Sequence, residues 1–504
     1  MTRLLTSLLF LAFALPGAAR AGDLKADLAF TFGDDNVLRG PGETRKNSPS
    51  AFFGSMSGTP LDRAFPTEIS ESLMLLSLKG AITSGEHFVP EGGLLVRLNL
   101  AQGTLKDYGT YLRLNWLLDA DAKDRKIYLE LYPNESNALR AGYAPDLAWG
   151  VADAFPKNFR KGPVPGAKLG YASKDLYAFV GVKTALVRSP AEDILFNPGG
   201  NTNKYVEQTA YGALGGAGVE LFDHLWVEAS GGVFQKGNNT RANVLGKPIL
   251  AGGGSARVAW LQGLPIGQEI GVRAYFADPL RSTVFSDEDY NRGFSFYAGV
   301  EGGLLVQTLE DPDHIHSTRN EYSKAFGLTL RAKYRMLRVH LLGSARDLTY
   351  ILFNVPGLVP YQALPEGASV TPEIFGALAV DYHFPTLGLT PSLTAAVIVP
   401  ATYKGGVPEG QAADSAATGV RTMVIMDTNA ANWSILPSGE GAMPVPMGRF
   451  ALKWSYGGFS AIGELFYERD NNLAQVFQDE RGHSIRKFDK PDILGFALVA
   501  RMAF

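Results

Sequence analysis

The sequence contains no cysteine among its 504 residues, which excludes a disulfide framework. It also lacks a strong excess of one charge, with 47 Lys and Arg against 50 Asp and Glu, and so lacks the basic footprint of nucleic-acid-binding proteins. Beyond the first 21 residues, no apolar run reaches the roughly 18 residues that a transmembrane helix needs. Two classes of protein remain. One is a soluble β-protein, and the other is a membrane barrel whose strands are too weakly apolar to be detected in a hydropathy average.

The first 21 residues have the pattern of a secretory signal peptide. Arg3 precedes an apolar stretch, Leu4 to Leu15, and Ala19-Arg20-Ala21 is a small-x-small cleavage site before Gly22. We predict cleavage near Ala21/Gly22, which leaves 504 − 21 = 483 residues. The signal carries two arginines and no acidic residue, so the mature chain has 45 basic and 50 acidic residues, a net charge of −5. No cysteine follows the site, which excludes a lipoprotein anchor.

Alternation of apolar and polar residues with a period of two recurs along almost the whole mature chain. In one segment Leu94, Val96, Leu98 and Leu100 share a face, opposite Leu95, Arg97, Asn99 and Ala101. Such alternation indicates strands with one apolar and one polar face. We count about 20 segments of roughly 9–14 residues, a length that suits tilted membrane strands better than globular ones.

The connections between these segments differ in length in the way that membrane barrels require. Short ones are expected at 133–136, 173–175, 222–224, 384–387 and 456–458, and long polar ones at 146–164, 188–207, 236–250, 347–371 and 470–490. Membrane barrels have short periplasmic turns and long extracellular loops. The alternation holds from residue 69 to about 277, and also backwards from Phe504 if 432–436 is a short extra strand.

The two counts disagree by one strand between about 278 and 335. Either one strand is miscounted, or 278–292 or 308–321 is a long turn at the unexpected end. An even number is needed if both termini lie on one side. We predict an all-β fold, a transmembrane antiparallel β-barrel of about 18 strands, with 16–22 allowed.

The final strand carries a more specific pattern. Counting back by two from Phe504 gives Met502, Ala500, Leu498, Phe496 and Leu494, all apolar. A terminal strand of this kind resembles the assembly signal of bacterial outer-membrane β-barrels. The resemblance implies a location in the outer membrane, contact with its lipid, and recognition by the barrel-assembly machinery through Phe496, Leu498, Met502 and Phe504. It identifies no subfamily.

The segment before the first confident strand is too short for the plug domain of a plugged transporter. Residues 22–68 are rich in turn-forming residues, and we assign them to a periplasmic or lumen-lining segment, with the barrel at 69–504. Within this segment, Asp27 to Phe32 could form a further strand.

If the barrel is correct, the polar faces must line its interior, because Arg or Lys facing lipid at the midplane costs about 2–4 kcal/mol. Cations outnumber acids on these faces, which favours anions weakly. The predicted pore-lining residues are Arg97, Asn99, Arg113, Asn115, Glu130, Lys183, Glu228, Arg257, Glu269, Arg273, Glu301, Arg331, Lys333, Arg449 and Lys453.

Motifs for chemistry are scarce. There is no G-x-S-x-G nucleophile motif, and His314 and His316 lack the spacing of a helical zinc site. We therefore expect no metal, no cofactor and no enzymatic activity. The favoured hypothesis is a porin-like channel for small hydrophilic, weakly anion-preferring solutes. An exporter of an acidic polysaccharide, a barrel enzyme acting on lipid or peptide, and a soluble secreted β-protein remain alternatives.

Overall fold

The structure is a computed structural model of the chain. It describes residues 25–34, 36–38, 74–81, 87–99, 104–107, 110–119, 125–134, 136, 139–144, 147–149, 163–190, 205–239, 244–263, 293–314, 316–353, 363–405, 421–427, 432–478, 480 and 484–503. The predicted signal peptide and Phe504 lie outside these residues. Among the described residues, no helix is long and apolar enough to cross a membrane.

One large antiparallel sheet dominates the described chain, and 18 of its strands form a continuous series. They are β1 (Lys25–Asp34), β2 (Met74–Ala81), β3 (Phe88–Asn99), β5 (Tyr111–Leu117), β6 (Lys126–Tyr132), β7 (Gly166–Ala172), β8 (Leu176–Pro190), β9 (Tyr205–Leu221), β10 (Leu225–Asn238), β11 (Pro248–Gly263), β12 (Phe294–Glu310), β13 (Thr318–Tyr334), β14 (Leu337–Arg346), β16 (Glu373–Tyr382), β17 (Leu389–Val399), β21 (Val445–Tyr456), β22 (Phe459–Arg469) and β25 (Asp492–Ala503). The short strand β4 (Thr104–Asp107) pairs with β3 beside β5.

Each of the 18 strands pairs with the strands before and after it in this series, and the pairing returns to its start. Strand β1 lies between β2 and β25, with Ala29 opposite both Leu75 and Arg501. An up-and-down arrangement of this kind leaves no unpaired edge. The prediction of an antiparallel barrel of about 18 strands is confirmed.

The expected start of the barrel at residue 69 is corrected by β1. Residues 25–34 belong to the sheet and pair along eight positions with the last strand. The suggested further strand at 27–32 is therefore present and is a full member of the sheet. The alternating run Leu28-Ala-Phe-Thr-Phe32 is short and turn-forming residues follow it directly, so the sequence alone does not mark it as part of the barrel. Residues 39–73 lie outside the described part of the chain.

The connections fall at two ends of the sheet. The turn end carries connections 173–175, 222–224, 335–336, 383–388 and 457–458, and the loop end carries the long connections such as 347–372 and 470–491. One expected turn is wrong. Strand β6 pairs directly with β7, so Pro133–Ser136 begins a single connection, 133–165, at the loop end.

The disagreement in the strand count is also settled. Strands β11 and β12 pair directly along 13 positions, from Ala251↔Gln307 to Gly263↔Ser295, so no strand lies between them. The sequence count included one there, over residues 269–276. Since β11 ends and β12 begins at the turn end, the connection 264–293 is the long one on the unexpected side.

Burial along the strands is inverted relative to a soluble protein. Large apolar side chains such as Val180, Leu304 and Leu393 are more than 60% exposed, whereas Arg338 and Asp381 are almost completely buried. Apolar side chains outside and polar ones inside are expected only where lipid surrounds the barrel. The fold is that of a membrane-spanning β-barrel.

Smaller elements lie at the loop end. The helix α1 (Leu348–Phe353) packs through Leu348 and Ile351 against a four-stranded sheet. That sheet consists of β15 (Ser369–Thr371), β18 (Thr402–Gly405), β19 (Arg421–Asp427) and β20 (Asn432–Ile435), and a hairpin is formed by β23 (Ala474–Gln478) and β24 (Ser484–Phe488). The extra strand expected at 432–436 is present, but in this sheet and not in the barrel.

Candidate functional site

The interior of the barrel is the candidate site, because the polar side chains converge there. Eleven of the fifteen predicted pore-lining residues have described side chains, and all eleven lie on the inner face. They are Arg113, Asn115, Glu130, Lys183, Glu228, Arg257, Glu301, Arg331, Lys333, Arg449 and Lys453. Nine are buried, and Arg113 and Arg257 are partly buried. Their position inside the barrel follows the prediction, while their role in lining a pore stays a prediction.

Four predicted residues cannot be placed in the same way. Arg97 and Asn99 belong to β3, but their side chains lie outside the described part of the chain. Glu269 and Arg273 lie outside the described residues altogether. In the C-terminal strand, Leu498 and Met502 are exposed on the outer face, as the alternation predicts.

The connection between β6 and β7 folds into the barrel. We call its described residues 139–144 and 147–149 the inward segment. Leu147 and Trp149 are completely buried, and the Trp149 indole N–H donates to Ser255 Oγ of β11 at 3.1 Å. Tyr350 of α1 donates its hydroxyl proton to the Leu147 carbonyl at 2.6 Å. The inward segment therefore occupies part of the cross-section that the 18 strands enclose.

A single carboxylate on β12 binds the inward segment. Glu301 Oε1 accepts the backbone N–H of Tyr143 at 2.9 Å, and Oε2 accepts that of Ala144 at 2.7 Å. The N–H of Gly142, whose φ of 91° suits glycine, donates to Ser230 Oγ at 2.9 Å. Hydrogen bonds to a charged acceptor are about twice as strong as neutral ones. The segment is thus held at defined points rather than by apolar contact alone.

Beside this attachment, Arg257 joins the segment to the wall. Its guanidinium forms an ion pair with Glu228 and stands 4.8 Å from the ring centroid of Tyr143. Tyr177 donates to the other oxygen of Glu228 at 2.6 Å. The ring of Tyr143 therefore packs on a cation that is already fixed by the wall.

A second group of charges lies on β3, β5, β6 and β7. Arg113 contacts Glu130 at 3.0 Å and Glu91 at 3.5 Å, and Lys168 contacts the second oxygen of Glu130 at 2.5 Å. On the described inner face of β3 to β12, the numbers of cationic and acidic side chains are nearly equal. The cations are Arg113, Lys126, Lys168, Lys183, Lys236 and Arg257, and the acids are Glu91, Glu130, Glu220, Glu228 and Glu301.

The opposite side of the interior is not balanced. In the half of β13 to β25 nearest the turn end, the described inner face carries a group that we call the basic wall. It comprises Arg331, Lys333, Arg338, Asp381, Arg449, Lys453, Glu464 and Arg501. Six of these eight side chains are cationic, so this wall carries a net positive charge.

Ion pairs fix part of the basic wall. Arg338 Nε donates to Asp381 Oδ2 at 3.0 Å, with both side chains completely buried. Arg449 Nε lies 3.0 Å from Glu464 Oε1. The register also places Lys333 directly opposite Arg338. Two acids for six cations leave the net charge positive even with these pairs formed.

Above the basic wall, towards the loop end, the inner face of β16, β17, β21 and β22 carries a belt of apolar side chains. Phe375, Met447 and Phe466 are buried there in one cluster with Ile398 and Val445. This belt is not evident from the sequence. Strands β16, β17 and β21 carry apolar residues on both faces at this height, so the alternation that marks a lumen face is weak. The interior therefore combines an apolar upper belt with a charged lower wall.

The histidine pair 314/316 belongs to a connection at the loop end. His314 Nδ1 lies 2.9 Å from Asp311 Oδ2. The backbone N–H of Asp313 also donates to Asp311, which lowers the pKa of that carboxyl. In the part of the chain that the structure describes, no group of three or more His, Asp or Glu side chains is placed to hold a metal ion.

An even number of antiparallel strands, short turns at one end, long connections at the other and an apolar exterior characterise bacterial outer-membrane β-barrels. The chain has this architecture. No protein-family profile and no curated protein matches it in sequence.

Several solved outer-membrane proteins align with nearly the whole chain at low similarity. OccAB3 of Acinetobacter baumannii is 10% identical, with a TM-score of 0.43 over 96% of this chain and 99% of that one. OccK2 of Pseudomonas aeruginosa, solved in complex with glucuronate, is 9% identical, with a TM-score of 0.42 over 96% and 98%. Wzi of Escherichia coli, described as a carbohydrate-binding β-barrel involved in group 1 capsule assembly, is 10% identical, with a TM-score of 0.41 over 97% and 86%. Similarity at this level carries no argument about function.

Proposed function

We propose that the protein is a non-enzymatic channel of the outer membrane that passes small hydrophilic solutes and prefers anions. The observation that carries this proposal is the basic wall, in which six cations and two acids lie on six of the seven strands from β13 to β25 in the barrel series. A surface of one charge inside a low-dielectric wall concentrates ions of the opposite sign. Anionic solutes are therefore enriched at the turn end of the interior.

The inward segment supplies the second element of the proposal. It lies against β10, β11 and β12, whereas the basic wall is built from β13 to β25. A solute that passes between them meets the segment on one side and the cations on the other. The fixed position of the segment, held by Glu301, favours a narrow passage that selects by size as well as by charge.

We further propose that β25 is the part of the chain that the barrel-assembly machinery recognises. The exposed outer-face residues Leu498 and Met502 support this, together with Phe504 two positions further along the same alternation in the sequence. Removal of Phe504 is expected to lower the amount of assembled protein in cells while the purified protein still refolds in detergent.

Solute uptake into vesicles tests the channel. Phospholipid vesicles with the refolded protein are mixed with glucose or with an anionic sugar acid of similar size, and swelling rates are compared. We expect both solutes to enter, the anionic one faster per unit of protein. Equal exclusion of both by vesicles that contain folded protein overturns the proposal.

A pair of variants shows whether the basic wall sets the preference. Lys453→Gln removes a cation from the wall, and Lys324→Gln removes one from the outer face of β13, where Lys324 is exposed. The first is expected to reduce the ratio of anionic to neutral uptake, and the second is expected to leave it unchanged.

A further inference from the structure

The outer face of the barrel carries a groove that the proposed channel does not use. Its volume is about 990 Å³, and it runs across β7 to β13 in the half nearest the loop end. Most of its lining residues belong to the outward-facing set of these strands, including Val182, Ala213 and Val233. The groove therefore opens to the surroundings of the barrel and not to its interior.

The strand register explains the shape of the groove. Directly opposed residues form one row across six strands: Ala167↔Val182, Val182↔Ala213, Ala213↔Val233, Val233↔Gly252 and Gly252↔Val306. Alanine or glycine fills three of these six positions, so the row is recessed and apolar. A second row on the loop-end side carries hydroxyl and amide groups, among them Thr184, Gln235 and Thr308.

The groove is continuous with the lipid-facing surface. Exposed apolar and aromatic side chains surround it, with Val180 64%, Leu304 62% and Tyr211 72% exposed. Long connections mark the loop end as the extracellular side, so the groove faces the outer leaflet. We propose that it binds an acyl chain of an outer-leaflet lipid, with the polar row beside the glycerol or sugar end of that lipid.

A second copy of this chain fits the groove less well. A two-fold symmetric contact places the same surface of both copies face to face. Two concave surfaces then enclose a cavity of about twice the volume rather than filling it, and an unfilled apolar cavity is costly. A flexible acyl chain fills a recessed apolar row without this cost.

Retention of lipid through extraction tests the proposal. The refolded protein is placed in vesicles of phosphatidylglycerol and hexa-acylated lipid A, re-extracted in mild detergent and examined by native mass spectrometry. We expect the wild type to retain lipid A. Ala213→Trp fills the centre of the groove and is expected to retain at least tenfold less.

The control is Ala217→Trp. Ala217 is exposed on the same face of the same strand, four residues closer to the turn end than Ala213 and outside the groove lining. This variant is expected to retain lipid like the wild type. Heat-modifiable gel mobility checks folding, and Ala213→Leu replaces Ala213→Trp if the latter does not fold. Wild type without retained lipid, equal retention by the groove variant and the control, or a lipid-free dimer that Ala213→Trp dissociates each overturns the proposal.

Discussion

Glu301 and Tyr143 are 158 positions apart in the chain, yet the Tyr143 backbone N–H donates to Glu301 Oε1 at 2.9 Å inside the barrel. The same carboxylate accepts the N–H of Ala144. One side chain of β12 therefore supplies two of the hydrogen bonds that position the inward segment beside the basic wall.

Glu301→Ala is expected to loosen the inward segment. Two backbone N–H groups lose a charged acceptor, and each such hydrogen bond contributes about 1.5–3 kcal/mol. In single-channel recordings we expect a larger and noisier conductance than that of the wild type. Glu220→Ala, at the turn end of β9, removes an inner-face carboxylate away from the segment and is the control. A conductance of Glu301→Ala identical to that of the wild type argues against attachment of the segment by this residue.

Asp381→Ala is expected to destabilise the barrel strongly. Arg338 and Asp381 are both completely buried and in contact, and removal of one partner of such a pair costs about 3–5 kcal/mol. The double variant Arg338→Met/Asp381→Leu removes both charges and is expected to recover most of this loss. Urea unfolding in vesicles, followed by tryptophan fluorescence, measures the free energies. A double variant no more stable than Asp381→Ala contradicts the account.

Val180→Arg tests the assignment of the outer face to lipid. Val180 is 64% exposed on β8. In a soluble protein such an exposed position tolerates arginine, whereas in a membrane the substitution costs about 2–4 kcal/mol near the midplane. Val180→Leu is the matched apolar control and is expected to unfold like the wild type. A stability of Val180→Arg equal to that of Val180→Leu would mean that lipid does not cover this face.

Cysteine pairs test the placement of β1 beside the last strand. The register puts Phe30 opposite Ala500, and the chain has no cysteine of its own to compete. Phe30→Cys/Ala500→Cys is expected to cross-link under mild oxidation, because bridged Cα atoms must lie within about 7 Å. Phe30→Cys/Phe496→Cys, four residues along the same face, is expected not to. Equal yields from the two pairs would contradict the observed register.

The architecture was predictable because each strand of a membrane barrel has a local pattern of alternating apolar and polar residues in the sequence. A period of two assigns each side chain of β12 or β13 to lipid or interior without knowledge of its neighbours. The inner position of Glu301, Arg331 and Lys453 followed from that period alone.

The errors arose where contacts are not local. Pro133–Ser136 has the composition of a tight turn, but β6 pairs with β7, and the residues beyond the supposed turn enter the barrel. Glu301, which accepts hydrogen bonds from these residues, is remote from them in sequence. No local sequence pattern indicates this contact. Residues 269–276, which the sequence count treats as a strand, lie outside the described part of the chain. The direct pairing of β11 with β12 shows that no further strand lies between these two in the sheet.

The zero-current potential of the refolded protein in a planar bilayer, measured across a KCl gradient, tests the central claim most directly. We predict discrete conductance steps and a potential whose sign shows preference for chloride, reduced in Lys453→Gln and unchanged in Lys324→Gln. Folded protein that gives no conductance steps, or a potential that shows preference for potassium, would contradict the account.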